Sequence, residues 1–214
     1  MFAKEFVRYG IEFLYQNPQF LKMRRRRAAI IIEHSVPKLS PSERLLEVGS
    51  GKGDLFHSLS DQYPGQVFSL DIEDQVISVN RGPQNRVIAD GLKMPFQDQS
   101  VDYVYICAVL HHIPKELIAQ MLKESLRVGK ELIVVEDSID HGPRRLTPHY
   151  VRGVDAILNA GVPGGAMGNQ DFLANWRTQI QQVGGDILET SEFDKPVFGV
   201  LPWKMNVIRA KKRT

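Results

Sequence analysis

The chain has 214 residues, 43% of them hydrophobic and 24% charged, one cysteine and a formal net charge of +2. That length suits one α/β domain with additions and is short for two independent cores. The ordinary composition excludes fibrous and disordered classes, near-neutrality argues against a nucleic-acid binder driven by whole-molecule attraction, and a lone cysteine excludes an internal disulfide framework.

Lys4, Glu5, Arg8 and Glu12 interrupt the apolar residues of the N-terminus, unlike the core of a secretory leader. No apolar run reaches the roughly 20 residues that span a bilayer. A soluble, cytoplasmic protein is expected. Phe2, Phe6, Tyr9 and Phe13 fall at i, i+4, i+7 and i+11, an aromatic stripe on one helical face. Asn17-Pro18 opens a second helix, which Pro37 must end. Residues 1–40 are therefore read as a helical extension.

Glu43 to Val48 is the first strand. Leu55, Phe56, Leu59 and Tyr63 mark a helix closed by Pro64-Gly65, and Val67 to Leu70 is a strand ending at Asp71. A helix is expected over 74–80, then strands at Arg86 to Ala89 and Val101 to Cys107. Pro114 opens a helix with Leu117, Ile118, Met121, Leu122 and Leu126 on one face, stopped at Gly129, and Leu132 to Val135 is the fifth strand. Strands apolar on both faces, alternating with helices, imply a parallel sheet covered on each side.

The last third differs. Thr147-Pro148 opens a helix bearing Val151, Val154, Ile157 and Leu158, and four glycines fall between Gly161 and Gly168. Phe172, Trp176, Ile180 and Val183 mark a final helix stopped by Gly184-Gly185. The strand-like stretches 186–193 and 205–210 have no helix between them and should pair antiparallel at the sheet edge.

The sharpest motif is Glu47-Val48-Gly49-Ser50-Gly51-Lys52-Gly53, where the first strand gives way to the first sheet-flanking helix. Alternate glycines let a backbone turn tightly and approach a ligand closely. A dinucleotide fingerprint needs another glycine three residues beyond Gly51, where Asp54 stands, and a P-loop's Gly-Lys-Ser/Thr ending is lacking. Glu47 would repel pyrophosphate and welcome an ammonium, so the loop suits a cation.

Here the chain resembles the class I S-adenosylmethionine-dependent methyltransferases, over about residues 43 to 137. Their first motif is an acidic residue followed by x-G-x-G-x-G, which Glu47 to Gly53 fits; Ser50 lies within it. Their second is an acid ending strand two that grips the ribose hydroxyls, matched by Asp71 with Ile72 beside it. A carboxylate can accept two hydrogen bonds from a vicinal diol. Ala89-Asp90-Gly91-Leu92 before Met94-Pro95-Phe96 is similar to the segment that meets adenine, which puts Asp90 on the base and Gly91 and Leu92 in its pocket. The fourth landmark runs from Val101 through Cys107 to Leu110-His111-His112-Ile113-Pro114, as in the small-molecule branch. The fifth is Leu126 to Val134, shortened at its turn.

The resemblance implies a Rossmann-like seven-stranded sheet, order 3-2-1-4-5-7-6, with an antiparallel last strand and helices on both faces. Residues 41–214 form this domain, with 141–170 an acceptor-side insertion and the N-terminal aromatic stripe either core packing or a lid over the crevice. Cofactor contacts are expected from Glu47, Gly49, Ser50, Gly51, Gly53, Asp71, Ile72, Asp90, Gly91, Leu92 and Cys107, with S-adenosyl-L-methionine as donor and S-adenosyl-L-homocysteine as product. The binding crevice lies where strand order reverses, between strands one and four.

Methyl transfer is an in-line displacement that needs alignment and exclusion of water. A base is needed only if the acceptor must lose a proton; His111 and His112 are the candidates by position, the alternative being that one lines the pocket and the other packs near the helix start at Pro114. Adjacent histidines diverge, and no other His or Cys cluster supports a metal site. Cys107 lacks the Pro-Cys context of cytosine C5 methyltransferases, and the Asn/Asp-Pro-Pro-aromatic motif used on base amines is missing. Arg24 to Arg27 reads as a solvated helix face, and Glu136, Asp137, Asp140 and His141, at the rim of the site, either as a surface loop or as groups that touch the acceptor. A small-molecule acceptor is the leading expectation. The alternatives are an RNA or protein acceptor held by the basic clusters at 24–27 and 211–213, or a non-catalytic scaffold.

Overall fold

The computed structural model describes residues 18–51, 53–64, 66–72, 85–138, 175–197 and 201–214. The aromatic stripe at 2–16, the helix at 74–80, the 141–170 segment, Asp140 and Phe172 lie outside these residues.

Short runs of branched and aromatic side chains build the sheet. They form β1 (Leu45–Val48), β2 (Val67–Asp71), β3 (Arg86–Ile88), β4 (Val101–Cys107), β5 (Gly129–Ser138), β6 (Gly185–Val197) and β7 (Leu201–Lys212). Their order is β3-β2-β1-β4-β5-β7-β6. β1 pairs parallel with β2 on one side and β4 on the other, β5 extends the parallel set, and β7 runs antiparallel to both β5 and β6. Fold and order are those expected.

Every residue of β1 is buried, because helices cover both faces. Leu46, Val48, Val104, Ile106, Leu132 and Val134 pack under α3 (Lys115–Val128) and α4 (Trp176–Gln182), through Ile118, Met121, Leu122, Leu126, Trp176 and Ile180. The alternate residues Leu45, Tyr105, Ile133 and Val135 pack under α1 (Pro18–Ser35) and α2 (Asp54–Gln62), through Ile31, Ile32, Phe56 and Leu59. The period-two alternation of a strand assigns each side chain to its layer. α1 ends two residues before Pro37, whose ring disfavours helical geometry in the residue before it. Asn175 caps α4, its Oδ1 accepting from Thr178 N at 3.1 Å.

Several elements differ from their expected bounds. β5, β6 and β7 are longer than 132–135, 186–193 and 205–210, since the antiparallel ladders run from Leu132–Ala210 to Ser138–Lys204 and from Gly185–Lys212 to Val197–Leu201. Local composition shows where a strand begins, but the partner decides how far pairing continues. Helix α3 ends at Val128 and is stopped at Gly129, as expected, although Gly129 is not left-handed. It has φ −94° and ψ 145° and is the first residue of β5. Gln99 supplies the missing cap, its Nε2 donating to the carbonyls of Leu126 and Gly129 at 3.1 and 2.8 Å. Gly184 is left-handed at φ 89°, whereas Gly185 already lies in β6, where a Cβ would stand 2.5 Å from Ile180 Cγ2.

Arg24 departs from the solvated face expected of the 24–27 run. It is largely buried and pairs with Asp54 at the start of α2, its Nε 2.7 Å from Oδ2. Arg25 and Arg26 are exposed. Among the described residues no helix is long and apolar enough to cross a membrane.

Candidate functional site

The expected site residues lie at the carboxyl ends of β1, β2, β3 and β4, and the sheet reverses order between β1 and β4. Beyond Val48, Gly49 N and Ser50 N donate to Leu70 O at 2.8 and 3.3 Å, tying the loop to β2. Gly49 has φ 75°, and a Cβ there would lie 2.6 Å from Val109 Cγ2. The glycine is therefore required twice, by backbone geometry and by the wall that β4 presses against it. Gly51, at φ 51°, has nothing within 4 Å of where a Cβ would point, which leaves an open ledge. Gly53 precedes α2 in left-handed geometry with no side-chain cap.

Asp71 ends β2 and turns towards this ledge, its Oδ2 accepting from Gly51 N at 2.7 Å. Ile72 beside it is 67% exposed and Ile88 on β3 62%, an apolar pair open to solvent at the sheet's edge. Asp90 is exposed and its Oδ1 accepts from Leu92 N at 2.9 Å, which shapes the turn that carries Gly91 and Leu92. A Cβ on Gly91 would meet Met121 Cε at 3.1 Å and Val48 Cγ1 at 3.2 Å, so this turn sits against the end of β1. Cys107 is half-buried and packs with the α1/α2 layer.

Glu47 carries the electrostatics. It is 3% exposed, on the α1/α2 side of β1, and its Oε2 has no hydrogen-bond partner; nor has the buried Ser50 Oγ. Burial, with Asp54 and Asp71 nearby, pushes the Glu47 carboxyl up to about 8, against the opposing pull of the Phe56 backbone amide. A buried acid with one oxygen unsatisfied, flanked by two more carboxylates, is a site that a cation would complete.

The opposite wall follows β4. Ala108 has φ 55°, and its N donates to Val135 O at 2.8 Å. Leu110–His112 is a 3-10 turn in which His111 is 2% exposed and His112 half-buried. Glu136 anchors this turn. Far from a surface loop, it lies within β5 and is 1% exposed. Its Oε1 accepts from Val109 N and Leu110 N at 2.9 and 2.7 Å, and Oε2 lies 2.7 Å from His111 Nδ1. The position of Glu136 after four apolar strand residues, at the rim of the site, is compatible with a role on the acceptor side but carries no sign of this anchoring. Asp137 belongs to the same strand.

A cavity of about 620 Å³ opens at the far, amino-terminal edge of the sheet, lined by Gln120, Lys123, Arg127, Lys212 and Arg213. Arg127 there is engaged with Glu124 and Asp98, and Arg213 with Asp186, and Leu92, an expected cofactor residue, also lines this cavity.

Residues 46–132 match a methyltransferase domain family. An O-methyltransferase, cnsE, of Penicillium expansum is 30% identical over 116 residues, 49% of this chain and 42% of that protein. Phosphoethanolamine N-methyltransferase 2 of Caenorhabditis elegans is 27% identical over 105 residues, 44% of this chain and 24% of that one. The chain thus spans less than half the length of the curated relatives it matches. A SAM-dependent methyltransferase from Methanosarcina mazei shares the fold, with a TM-score of 0.59, 18% identity, and coverage of 86% of this chain and 98% of that one.

Proposed function

We propose that the chain, whose residues 46–132 match a methyltransferase domain family, is a class I S-adenosylmethionine-dependent methyltransferase that transfers the donor's methyl group to a small-molecule acceptor. One observation carries the reading. The glycine loop leaves an open ledge at Gly51, with the unsatisfied Glu47 Oε2 and Ser50 Oγ buried in it and the Asp71 carboxylate beside it. That donor set fits a cationic amino-acid nucleoside. Glu47 and Ser50 would hold the amino-acid end, Asp71 the ribose hydroxyls, and Ile72, Asp90, Gly91 and Leu92 the adenine.

The bound donor supplies a methyl group on a positively charged sulfur, already activated for displacement. The chain's own task is to hold an acceptor in line with that carbon and to exclude water. One of the two histidines of the wall facing the loop, His111 or His112, would take a proton from an acceptor hydroxyl or amine. A small acceptor is supported by the O- and N-methyltransferase relatives. The basic clusters favour an RNA or protein acceptor less than their sequence suggests, because Arg24 is committed to Asp54 and Arg213 to Asp186.

The test is calorimetric titration of the folded protein with S-adenosylhomocysteine, then mass-spectrometric search of a metabolite extract for a product heavier by one methylene. A folded protein that ignores the nucleoside at millimolar concentration ends the reading.

Glu47 adds a pH signature. Its carboxyl is raised from 4.5 to about 8 in the ligand-free fold, so the folded state holds a proton that the unfolded state has lost. This contribution to stability is complete below about 4.5 and disappears as pH rises through about 8. Glu47→Gln is therefore expected to raise the Tm relative to the unsubstituted chain at pH 9, with little difference near pH 4.5. Nucleoside binding needs the ionised form, so affinity should rise with pH towards 8 in the unsubstituted chain and lose that component in Glu47→Gln. Thermal melts and titrations across pH check both; equal melting at pH 9 would refute the assignment.

A further inference from the structure

We propose that Glu136 is a positioning residue of the acceptor wall, acting through His111, and that this leaves His112 as the side chain that meets the acceptor. The inference rests on the methyltransferase reading and goes beyond it by dividing the two histidines' roles.

Burial and bonding separate the pair. His111 is 2% exposed with Nδ1 committed to Glu136, while His112 is half-buried and packs against the His111 ring, centroids 4.1 Å apart. A carboxylate only accepts, so Glu136 fixes the hydrogen of His111 on Nδ1. Its other oxygen gathers two consecutive backbone amides just after Ala108, whose left-handed φ of 55° persists only where surrounding bonds hold it. Val109, held by the first amide, packs against Gly49. One buried carboxylate thus sets the tautomer of His111, the position of His112 and the spacing of the wall from the loop. In the transfer step the acceptor oxygen or nitrogen forms its bond to the methyl carbon as the carbon–sulfur bond breaks. The sulfur keeps that electron pair, and the acceptor's proton goes to a His112 nitrogen.

Three variants of the full chain test this: Glu136→Gln, His111→Asn and His112→Asn. The first readout is nitrogen NMR of the imidazole rings. The unsubstituted chain should show His111 as the Nδ1–H tautomer alone. Glu136→Gln should invert it, because the new amide donates to Nδ1. The second readout is S-adenosylhomocysteine release during methyl transfer to catechol and phosphoethanolamine as probe acceptors. Asparagine can imitate the Nδ1 donor, so His111→Asn should keep turnover within about fivefold, while His112→Asn should lose about a hundredfold or more. A mixed His111 tautomer in the unsubstituted chain, or one unchanged by Glu136→Gln, overturns the role of Glu136 whatever the acceptor. Equal losses in the two histidine variants overturn the division between them. Titration with S-adenosylhomocysteine is the control: if the unsubstituted chain fails to bind it, the methyltransferase reading falls while the tautomer result stands by itself.

Discussion

Asp71→Ala is expected to weaken S-adenosylhomocysteine binding by about a hundredfold while leaving the sheet folded. A carboxylate that accepts from both hydroxyls of a vicinal diol makes two charge-assisted hydrogen bonds, each contributing roughly 1.5–3 kcal/mol. Asp71 is half-buried, so water recovers part of that loss, and about 3 kcal/mol remains, close to two decades in Kd. The substitution also strips Gly51 N of its acceptor and loosens the ledge. Asp71→Asn, which keeps one acceptor and adds a donor, should fall between the two. Calorimetric titration of the three proteins measures the series. An alanine variant that binds as tightly as the unsubstituted chain would remove Asp71 from the ribose site.

The second large effect concerns stability. Gly49→Ala places a side chain at φ 75°, costing about 1–2 kcal/mol, and drives a Cβ to 2.6 Å from Val109 Cγ2 and 2.9 Å from Cγ1. Overpacking of that kind costs about 1–3 kcal/mol more. Together these approach about 3 kcal/mol, a large share of the roughly 5–15 kcal/mol that holds a domain folded. The two costs have different cures. Val109→Ala removes the clash but not the backbone strain, so Gly49→Ala with Val109→Ala should be less destabilised than the single losses added together, with a coupling of about 1 kcal/mol or more. Denaturant unfolding of the singles and the double gives that coupling. Strict additivity would mean that the loop and the β4 wall do not touch.

The glycine loop was legible in the chain, whereas the wall beyond β4 was not. The glycine spacing, the acid opening the loop and Asp71 lie within one strand-turn-helix-strand unit, where local pattern carries the information. The spans 101–107 and 115–128 were placed from apolar runs, Pro114 and Gly129, because a buried strand and an amphipathic helix write their periods into adjacent residues.

Glu136 shows the limit. An acid after four apolar residues reads as the start of a loop. It is buried because β7 continues the ladder beyond it, with Glu136 opposite Asn206, and because the β4 turn brings two amides and an imidazole to its oxygens. Arg24 is similar: only the packing of α1 on α2 turns one arginine of a basic run into the partner of Asp54. The sequence by itself determined the order of elements, the sheet class and the place of the glycine loop, since these depend on neighbours close along the chain. Tertiary structure alone decided strand lengths, which acids are buried and which histidine is anchored, because those depend on groups that meet only after distant segments pair, and a buried charge is tolerated only where such partners arrive.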